Sequence, residues 1–337
     1  MIKTFCLVCC ALAAVAQSCS AQDATYAERL GYAKGARVLI LHVDDVGMSF
    51  DSNQGAIEAM TKGVATSCSV MMPCPWVPAY VHYLKQNPQT DAGLHLTLTS
   101  EWVEYRWGPL AGKANVPGLV DDEGVLWKGV DEVAKHATPD EIEKEIRAQL
   151  DRARTMGFEP THLDTHMGTV FATPAFLERY IKVGMENRIP IMLPGGHDYL
   201  IQLETHAPDA QVLQMRTIGK TLWDAGLPVL DDLHNVSYDW AIADSAKNDY
   251  NQIRQSRTAR YIEAVKSLKP GVTMMIMHCT APTEVFQHIS GSGPVRKGDL
   301  LVMTNPAFKK ALQDEGIILT TWRELMQKRI LVKQTGN

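Results

Sequence analysis

The sequence lacks an excess of positive charge. Its 337 residues include 33 Lys and Arg against 38 Asp and Glu, which gives a formal net charge of −5. Proteins that bind nucleic acids neutralise phosphates with clustered Lys and Arg side chains, so this balance argues against a nucleic-acid partner. A hydrophobic fraction of 45% with 21% charged residues also excludes a disordered chain and provides material for a large core.

Cysteine is scarce in the body of the chain. Four of the seven cysteines lie within the first 21 residues, which leaves Cys68, Cys74 and Cys279. An odd number this small is not a disulfide framework, and no CxxC pair of the zinc-binding type occurs after residue 21. If the chain is exported, Cys68 and Cys74 either form a disulfide bridge or remain free thiols, and both alternatives are open.

The amino terminus has the features of a secretory signal peptide. Lys3 precedes an apolar run over residues 5–16, and small residues follow up to Ala21. The run is shorter than the ~20 residues that span a bilayer, whereas a cationic start, an apolar centre and a small-residue exit are typical of exported proteins. We therefore expect residues 1–21 to be a cleaved signal peptide and the protein to be secreted or periplasmic, without a transmembrane segment. A lipid anchor at Cys19 or an ordinary buried helix are the alternatives.

The rest of the chain alternates short apolar runs with amphipathic segments. Val38–Val43 is typical of a buried strand, and the capping box at residues 138–141 predicts the start of a helix. About eight such alternations without a linker or repeat predict a parallel sheet covered by helices. We expect an α/β fold: a single distorted, TIM-like (β/α) barrel of seven to eight strands over residues 22–337. A long loop insertion is predicted near residues 101–137.

Several candidate functional residues lie where predicted strands end. Asp44 and Asp45 follow the first strand, His95 lies in the third, and His278 ends the seventh. In barrels, catalytic residues occupy the carboxyl ends of strands. Taken singly, the two carboxylates fit a helix cap and a solvated turn, and His95 fits a buried core group. A nucleophilic pair of His278 with Cys279 is disfavoured because neighbours in a strand point to opposite faces.

The segment His162-Leu163-Asp164-Thr165-His166 is the most informative. In a strand, His162, Asp164 and His166 project to one face, which suggests metal ligation or acid–base chemistry. One carboxylate and two histidines form a common divalent-metal set that leaves positions for water. A further Asp and a further His then remain for proton transfer.

These segments resemble the YdjC-like carbohydrate deacetylases, which act on chitooligosaccharides and hopanoid-linked sugars. The resemblance rests on residues 43–49, 93–99, 161–166 and 277–278, in that order along most of the chain. It implies a distorted (β/α) barrel and a metal-dependent hydrolase that removes N-acetyl groups from a sugar or oligosaccharide.

The same resemblance implies roles for individual residues. Asp45, His95 and His166 are expected to bind one divalent metal ion. Asp44 is expected to act as general base and His278 as general acid.

His162 and Asp164 are expected to support the metal ligands or to contact the substrate. Two histidines suit zinc, whereas magnesium prefers oxygen ligands, and both metals remain open.

Two other functions compete with this hypothesis. One is a secreted carbohydrate-binding or interaction protein on a catalytically degenerate barrel, which has no need of a proton-transfer pair. The other is a metal-dependent phosphoesterase or a deacylase of another substrate. The sequence has no Gly-rich phosphate loop and no GxSxG nucleophile elbow, which argues against the phosphate and serine-hydrolase versions. Within the predicted loop, Trp102, Trp107 and Trp127 are either sugar-stacking platforms or packing anchors.

Overall fold

Parallel strands form one sheet in the structure, a computed structural model that describes residues 24–335. The predicted signal peptide and Cys19 lie outside the described residues. The strands of the described part are β1 Arg37–Val46, β2 Ser67–Val70, β3 Ala92–Leu96, β4 Leu163–Thr165, β5 Asp232–His234, β6 Gly271–Met277 and β7 Ile318–Leu319. Six of them follow one another in the order β4-β3-β2-β1-β6-β5, and β7 pairs with the start of β1.

Helices connect and cover these strands. Within the described residues they are α1 Tyr26–Arg29, α2 Phe50–Thr61, α3 Val77–Gln86, α4 Val130–His136, α5 Pro139–Thr155, α6 Pro174–Asn187, α7 Tyr199–Thr205, α8 Asp209–Ala225, α9 Tyr250–Ser267, α10 Gly293–Met303, α11 Pro306–Asp314 and α12 Trp322–Thr335. The capping box is confirmed, since Thr138 and Glu141 satisfy each other's backbone N–H groups at the start of α5. Across residues 24–335, no helix has both the length and the apolar character needed to cross a bilayer.

The two faces of the sheet build two separate hydrophobic clusters. On β6, Val272, Met274 and Ile276 belong to an inner cluster, which also takes in residues of α1 and α12. Their neighbours Met275 and Met277 belong to the larger outer cluster, against which the surrounding helices pack. This alternation follows from the period of two in a strand. On β6 a side chain therefore reaches the inner face when its position has the same parity as Ile276, and on the other strands the pairing register sets which positions do so.

The α/β class is confirmed, but the closed barrel of seven to eight strands is wrong. The sheet is a half-barrel of six strands whose edges are β4 and β5. The apolar run at residues 189–193, which has the composition of a further strand, lies between these edges, where the chain makes only isolated bridges at Ile191 and Pro194. Pro190 and Pro194 lack an N–H group and cannot donate to a ladder, so this segment does not complete the barrel.

Residues 101–137 form a long connection that is packed onto the body of the protein. It contains a 3-10 turn at Pro117–Leu119 and then α4. The Trp107 indole N–H donates to the carbonyl of Thr99 at 2.9 Å, and that of Trp127 donates to the carbonyl of Gly118 at 2.8 Å. Trp102 packs edge to face on Trp107. These contacts favour the packing-anchor interpretation of the three tryptophans.

The three cysteines of the described chain are buried free thiols. Cys68 lies 3.1 Å from the Tyr80 hydroxyl, and Cys279 belongs to the outer cluster. Cys68 and Cys74 are therefore not bridged. The position of Cys279 on the outer side, opposite His278, agrees with the argument against a Cys–His pair.

Candidate active site and metal centre

A β-bulge at the end of β1 brings two adjacent carboxylates to the same region. The pairing of β1 with β2 shifts register between Val43 and Val46. Asp45, inside this irregularity, adopts a φ of 64°, which is rare for a residue other than glycine. Regular alternation would send Asp44 and Asp45 to opposite faces. The bulge instead places a carboxylate oxygen of each within 4 Å of His95 Nε2.

Three side chains from three strand ends converge on one point. Asp45 Oδ1 lies 3.2 Å from His95 Nε2 and 3.3 Å from His166 Nδ1, and these two nitrogens are 3.2 Å apart. A tetrahedral ion with bonds of ~2.0–2.2 Å separates its ligand atoms by roughly 3.3–3.6 Å. The three donor atoms therefore have the spacing of a divalent-metal site.

The surroundings of Asp45 also fit a cation. Asp45 is 1% exposed, and neither of its carboxylate oxygens has a hydrogen-bond partner, although Arg296 forms an ion pair with Oδ2 at 2.6 Å. Burial alone would raise the pKa of Asp45, but Arg296 and the two histidines hold it well below its usual range. The carboxylate is therefore ionised and available as a ligand.

The two histidines are surrounded by carboxylates. Burial opposes protonation of His95, but Asp44 and Asp164 outweigh it and hold the pKa of His95 well above its usual value. His166 behaves in the same way: against the effect of burial, Glu101 and Asp45 raise its pKa to about 9. Such sites attract positive charge, and a metal ion satisfies the same carboxylates that otherwise favour a proton.

A layer of polar groups behind His95 fixes the orientation of this candidate ligand. Asp164 Oδ1 lies 2.7 Å from His95 Nδ1, which turns His95 Nε2 towards Asp45. Asp164 Oδ2 pairs with His42 Nε2 at 2.8 Å, and Ser69 Oγ lies 3.1 Å from the same nitrogen. Burial opposes protonation of His42, yet Asp164 and Asp44 raise its pKa to about 9.

His162 lies one step deeper and is buried. Its Nε2 is 3.7 Å from Asp164 Oδ2, and its ring stacks on Trp322 with the ring centroids 5.2 Å apart. A Cβ at Gly93 would come within 2.5 Å of the His162 ring, so only glycine fits at this position. Burial lowers the pKa of His162, so the ring is neutral. The structure thus places His162 against Asp164, away from the three candidate ligands.

Asp44 and His278 lie beside the candidate metal centre and face a cavity. Asp44 Oδ2 is 3.9 Å from His278 Nε2, and both residues line the cavity. The His278 backbone N–H donates to Asp299 at 2.9 Å, while Nδ1 of the ring has no hydrogen-bond partner. Burial lowers the pKa of His278, which makes the neutral imidazole its resting form.

The cavity has a volume of about 500 Å³. It extends from Asp44 and His278 past Phe171 towards α7 and α8. Cavities of about 300–1,000 Å³ are typical of small-molecule sites, so an organic substrate of moderate size fits beside the carboxylate and imidazole.

Sequence reasoning missed four residues of the site: His42, Ser69, Glu101 and Arg296. His42 and Ser69 carried a usable signal, because their parity on β1 and β2 matches that of the inner face. Glu101 comes from the long connection, where Oε2 lies 3.1 Å from His166 Nε2, and Arg296 comes from α10. No local pattern places those two side chains, since only the packing of distant segments does so.

Comparison with known proteins agrees with this description. The family model described as YdjC-like protein matches residues 38–314. A carbohydrate deacetylase of Thermus thermophilus is 28% identical over 300 residues, which cover 89% of this chain and 97% of that protein. A chitooligosaccharide deacetylase of Yersinia enterocolitica is 25% identical over 293 residues, or 86% of this chain and 99% of that protein.

A solved structure supports the fold. A crystal structure of an Enterococcus faecalis protein, suggested to act in cellobiose-phosphate cleavage, superposes with a TM-score of 0.68. The two chains are 22% identical, and the match covers 86% of this chain and 99% of that one. Most of the described architecture thus has a counterpart in that structure.

Proposed function

Because the chain belongs to the YdjC-like protein family, we propose that it is a metal-dependent carbohydrate deacetylase that hydrolyses the N-acetyl group of a sugar or oligosaccharide. The observation that carries the proposal is the arrangement at the strand ends. Three mutually close donor atoms of Asp45, His95 and His166 lie directly beside Asp44 and His278. The named deacetylases among its relatives supply the substrate class.

In this proposal Asp45, His95 and His166 hold one divalent ion. Once bound, the ion polarises the acyl oxygen and lowers the pKa of a water molecule towards neutrality. A donor set of two imidazoles and one carboxylate matches zinc better than magnesium, which prefers oxygen ligands. Zinc is therefore the metal we propose.

The chain's own residues move the protons. Asp44 Oδ2 is the acceptor for the proton of the attacking water, and His42 Nε2 holds the other oxygen of Asp44 at 3.1 Å. An amine does not leave as an anion, so its nitrogen must receive a proton. His278 Nε2 lies 3.9 Å from Asp44 Oδ2, which is longer than a hydrogen bond, so a small rotation of either side chain brings His278 into position to take up that proton and deliver it to the leaving nitrogen. Since the resting imidazole is neutral, it accepts a proton before it donates one.

The decisive experiment measures acetate released from N-acetylglucosamine oligosaccharides. We expect release by the zinc-loaded protein, loss of release after chelation, and recovery when zinc is restored. Asp44→Asn should reduce turnover by at least about 10²-fold while metal content is retained. Asp151→Asn, an equivalent change at an exposed position of α5, is the matched control and should keep full turnover.

The same assay separates the competing function. Binding of the oligosaccharides without release of acetate by the metal-loaded protein would support a carbohydrate-binding protein and contradict the deacetylase. Release of phosphate from sugar phosphates instead of acetate would support the phosphoesterase.

We further propose that residues 22–337 are one domain exported after removal of residues 1–21. The support is the cationic, apolar and small-residue pattern of the amino terminus. Mass spectrometry of the protein recovered from the periplasm or medium should show a new amino terminus after Ala21. A lipid-modified Cys19 at the terminus would favour the anchored alternative.

A further inference from the structure

The cavity beside Asp44 and His278 has an apolar inner end. Its innermost lining includes Met192, Leu233 and Ile276, which are at most 9% exposed and belong to the inner hydrophobic cluster. These side chains offer no hydrogen bonds. Sugar hydroxyls placed against them would lose their water partners without replacement, which is unfavourable. The inner end therefore suits an aliphatic group and excludes a sugar ring.

The outer end of the cavity carries exposed polar groups among apolar ones. They are Thr205 at the end of α7, His206 in the segment that joins α7 to α8, and Gln211 on α8. These groups offer hydrogen bonds to hydroxyls in contact with solvent. The gradient from a polar rim to an apolar inner end assigns the sugar to the rim and the apolar half of the substrate to the inner end.

Besides Asp44, a second carboxyl group, that of Asp198, lies in the wall of the cavity without disturbing this gradient. Asp198 is buried, and neither of its oxygens has a hydrogen-bond partner. Burial and the neighbouring Asp232 raise the pKa of Asp198 to about 8. At pH 7 the group is mostly neutral and adds no charge to the cavity.

The distance to the inner end exceeds the length of an acetyl group. Ile276 precedes His278 by two residues on the same side of the chain, which corresponds to about 6.6 Å along the strand direction. The acetyl group extends from its carbonyl by a single C–C bond of about 1.5 Å. A substrate whose amide nitrogen meets His278 thus leaves the inner end unfilled unless its acyl chain is longer.

We infer that the cavity binds an aliphatic N-acyl chain longer than acetyl, so that the enzyme releases a longer carboxylic acid from an amino sugar. This inference rests on the proposed function, whose chemistry it keeps. The oxygen of water forms the new bond to the acyl carbon while the C–N bond breaks. Both protons of the water end on the nitrogen, one as the C–N bond breaks and one as the carboxylic acid ionises, so the products are a carboxylate and an ammonium sugar.

The test compares one sugar carrying acyl chains of increasing length on the zinc-loaded full chain. N-acetyl-, N-butanoyl- and N-hexanoylglucosamine disaccharides are hydrolysed, and the released acid is quantified. Each buried methylene contributes about 0.8 kcal/mol, or about fourfold in kcat/KM. We expect hexanoyl to exceed acetyl by at least about tenfold. Equal or lower kcat/KM for hexanoyl, with acetyl readily hydrolysed, would overturn the inference and leave the deacetylase intact.

A second comparison distinguishes an acyl chain from an apolar aglycone. The octyl and methyl glycosides of N-acetylglucosamine should be hydrolysed with similar kcat/KM. A gain for the octyl glycoside, without a gain for hexanoyl, would overturn the assignment to the acyl group. Failure to hydrolyse any of these amides would contradict the proposed function itself.

Variants link the preference to the inner end of the cavity. Ile276→Thr replaces an apolar wall atom by a hydroxyl and should lower the hexanoyl-to-acetyl ratio at least fivefold. Ile330→Thr makes the same change on α12, where the side chain is 44% exposed, and should leave the ratio unchanged. An unaltered ratio in Ile276→Thr would contradict the assignment. The chain-length series on the unmodified enzyme decides the matter if that variant does not fold.

Discussion

Asp45 is the residue on which the cationic groups of the site converge. Arg296 meets one of its carboxylate oxygens at 2.6 Å, and His95 and His166 meet the other at 3.2 and 3.3 Å. The arrangement holds the carboxylate ionised although it is buried. Asp44, by contrast, is 7% exposed and faces the cavity. Two adjacent and chemically identical residues thus have different surroundings, and this difference is the basis for the different roles that we propose for them.

Replacing His278 tests the delivery of the proton. The ring of His278 lies outside the triangle of donor atoms, so His278→Ala should retain its zinc content while amide turnover falls by about 10²–10⁴-fold. The loss should be smaller for an activated acetyl ester, whose leaving group needs no proton. Zinc is measured by atomic emission on the purified variant, and turnover by release of acetate.

Two results would contradict this role. One is loss of zinc from His278→Ala, which would make the residue a ligand. The other is equal impairment on the amide and on the activated ester.

Replacing Asp164 tests whether its hydrogen bonds hold the imidazoles at the candidate metal site in position. Its two oxygens meet His95 Nδ1 at 2.7 Å and His42 Nε2 at 2.8 Å. An asparagine has only one acceptor oxygen, so Asp164→Asn leaves one of these imidazoles facing an NH₂ group. We expect zinc affinity or kcat/KM to fall by about 10–100-fold. Competition titration with a zinc chelator measures the affinity, and unchanged affinity together with unchanged kinetics would remove Asp164 from this role.

At the scale of elements, α5 and α6 are joined by a charge cluster. Glu143 on α5 accepts hydrogen bonds from Lys182 and Arg179 of α6 at 2.9 and 3.0 Å, and from Arg147 of its own helix. Lys182 and these two arginines lower the pKa of Glu143 to about 2. The partners are partly exposed, so solvent screening limits the contribution of the cluster to about 1 kcal/mol.

Glu143→Gln therefore gives a pH-dependent loss of stability. The folded pKa lies below the unfolded value of 4.5, so the stabilisation is fully present above pH 4.5 and is lost as the pH falls towards 2. The variant should be about 1 kcal/mol less stable at pH 7, measured by urea unfolding, and the difference should shrink below pH 4. A difference that is constant with pH would show that the charge is not its cause.

Local signals in the sequence predicted helices and strands well where a helix cap or a regular strand alternation was present. The helix after Thr138 and the strand before His278 occur as expected. The strand predicted through His162 and His166 is only three residues long, because Met167 and Gly168 adopt positive φ angles and turn the chain into a 3-10 segment. The helix α10 was not predicted, although it supplies Arg296.

At the scale of the whole molecule, the candidate metal site joins strand ends that are far apart in sequence. Their convergence could be predicted, because the carboxyl ends of parallel strands meet at one edge of a sheet. The opening between β4 and β5 could not, since it depends on how residues 189–194 pass between the two edges. Nor could the contacts of Glu101 with His166, which require the long connection to fold back over the sheet.

Metal binding should stabilise the entire fold. A ligand present at about 100 times its Kd stabilises the native state by about 2.7 kcal/mol, which corresponds to a rise in Tm of roughly 4 °C for a chain of this size. Differential scanning calorimetry should show this rise when zinc is added to the chelated protein. His166→Gln removes one candidate ligand and should abolish the rise, whereas His288→Gln, at an exposed position, should retain it. A rise of equal size in both variants would place the zinc elsewhere.

The bulge at Asp45 also changes how the residues of β1 are assigned to the two faces of the sheet. Along a regular strand, odd and even positions are assigned to opposite faces, and a pair of adjacent acidic residues divides between them. The extra residue in β1 interrupts this alternation once, so that the side chains at positions 44 and 45 lie on the same side of the sheet. Only Asp44 and Asp45 lie between the paired residues Val43 and Val46, so deleting one residue to restore the regular alternation would remove one of the two carboxylates itself. The proposed chemistry therefore depends on a local change of parity as much as on the acids themselves.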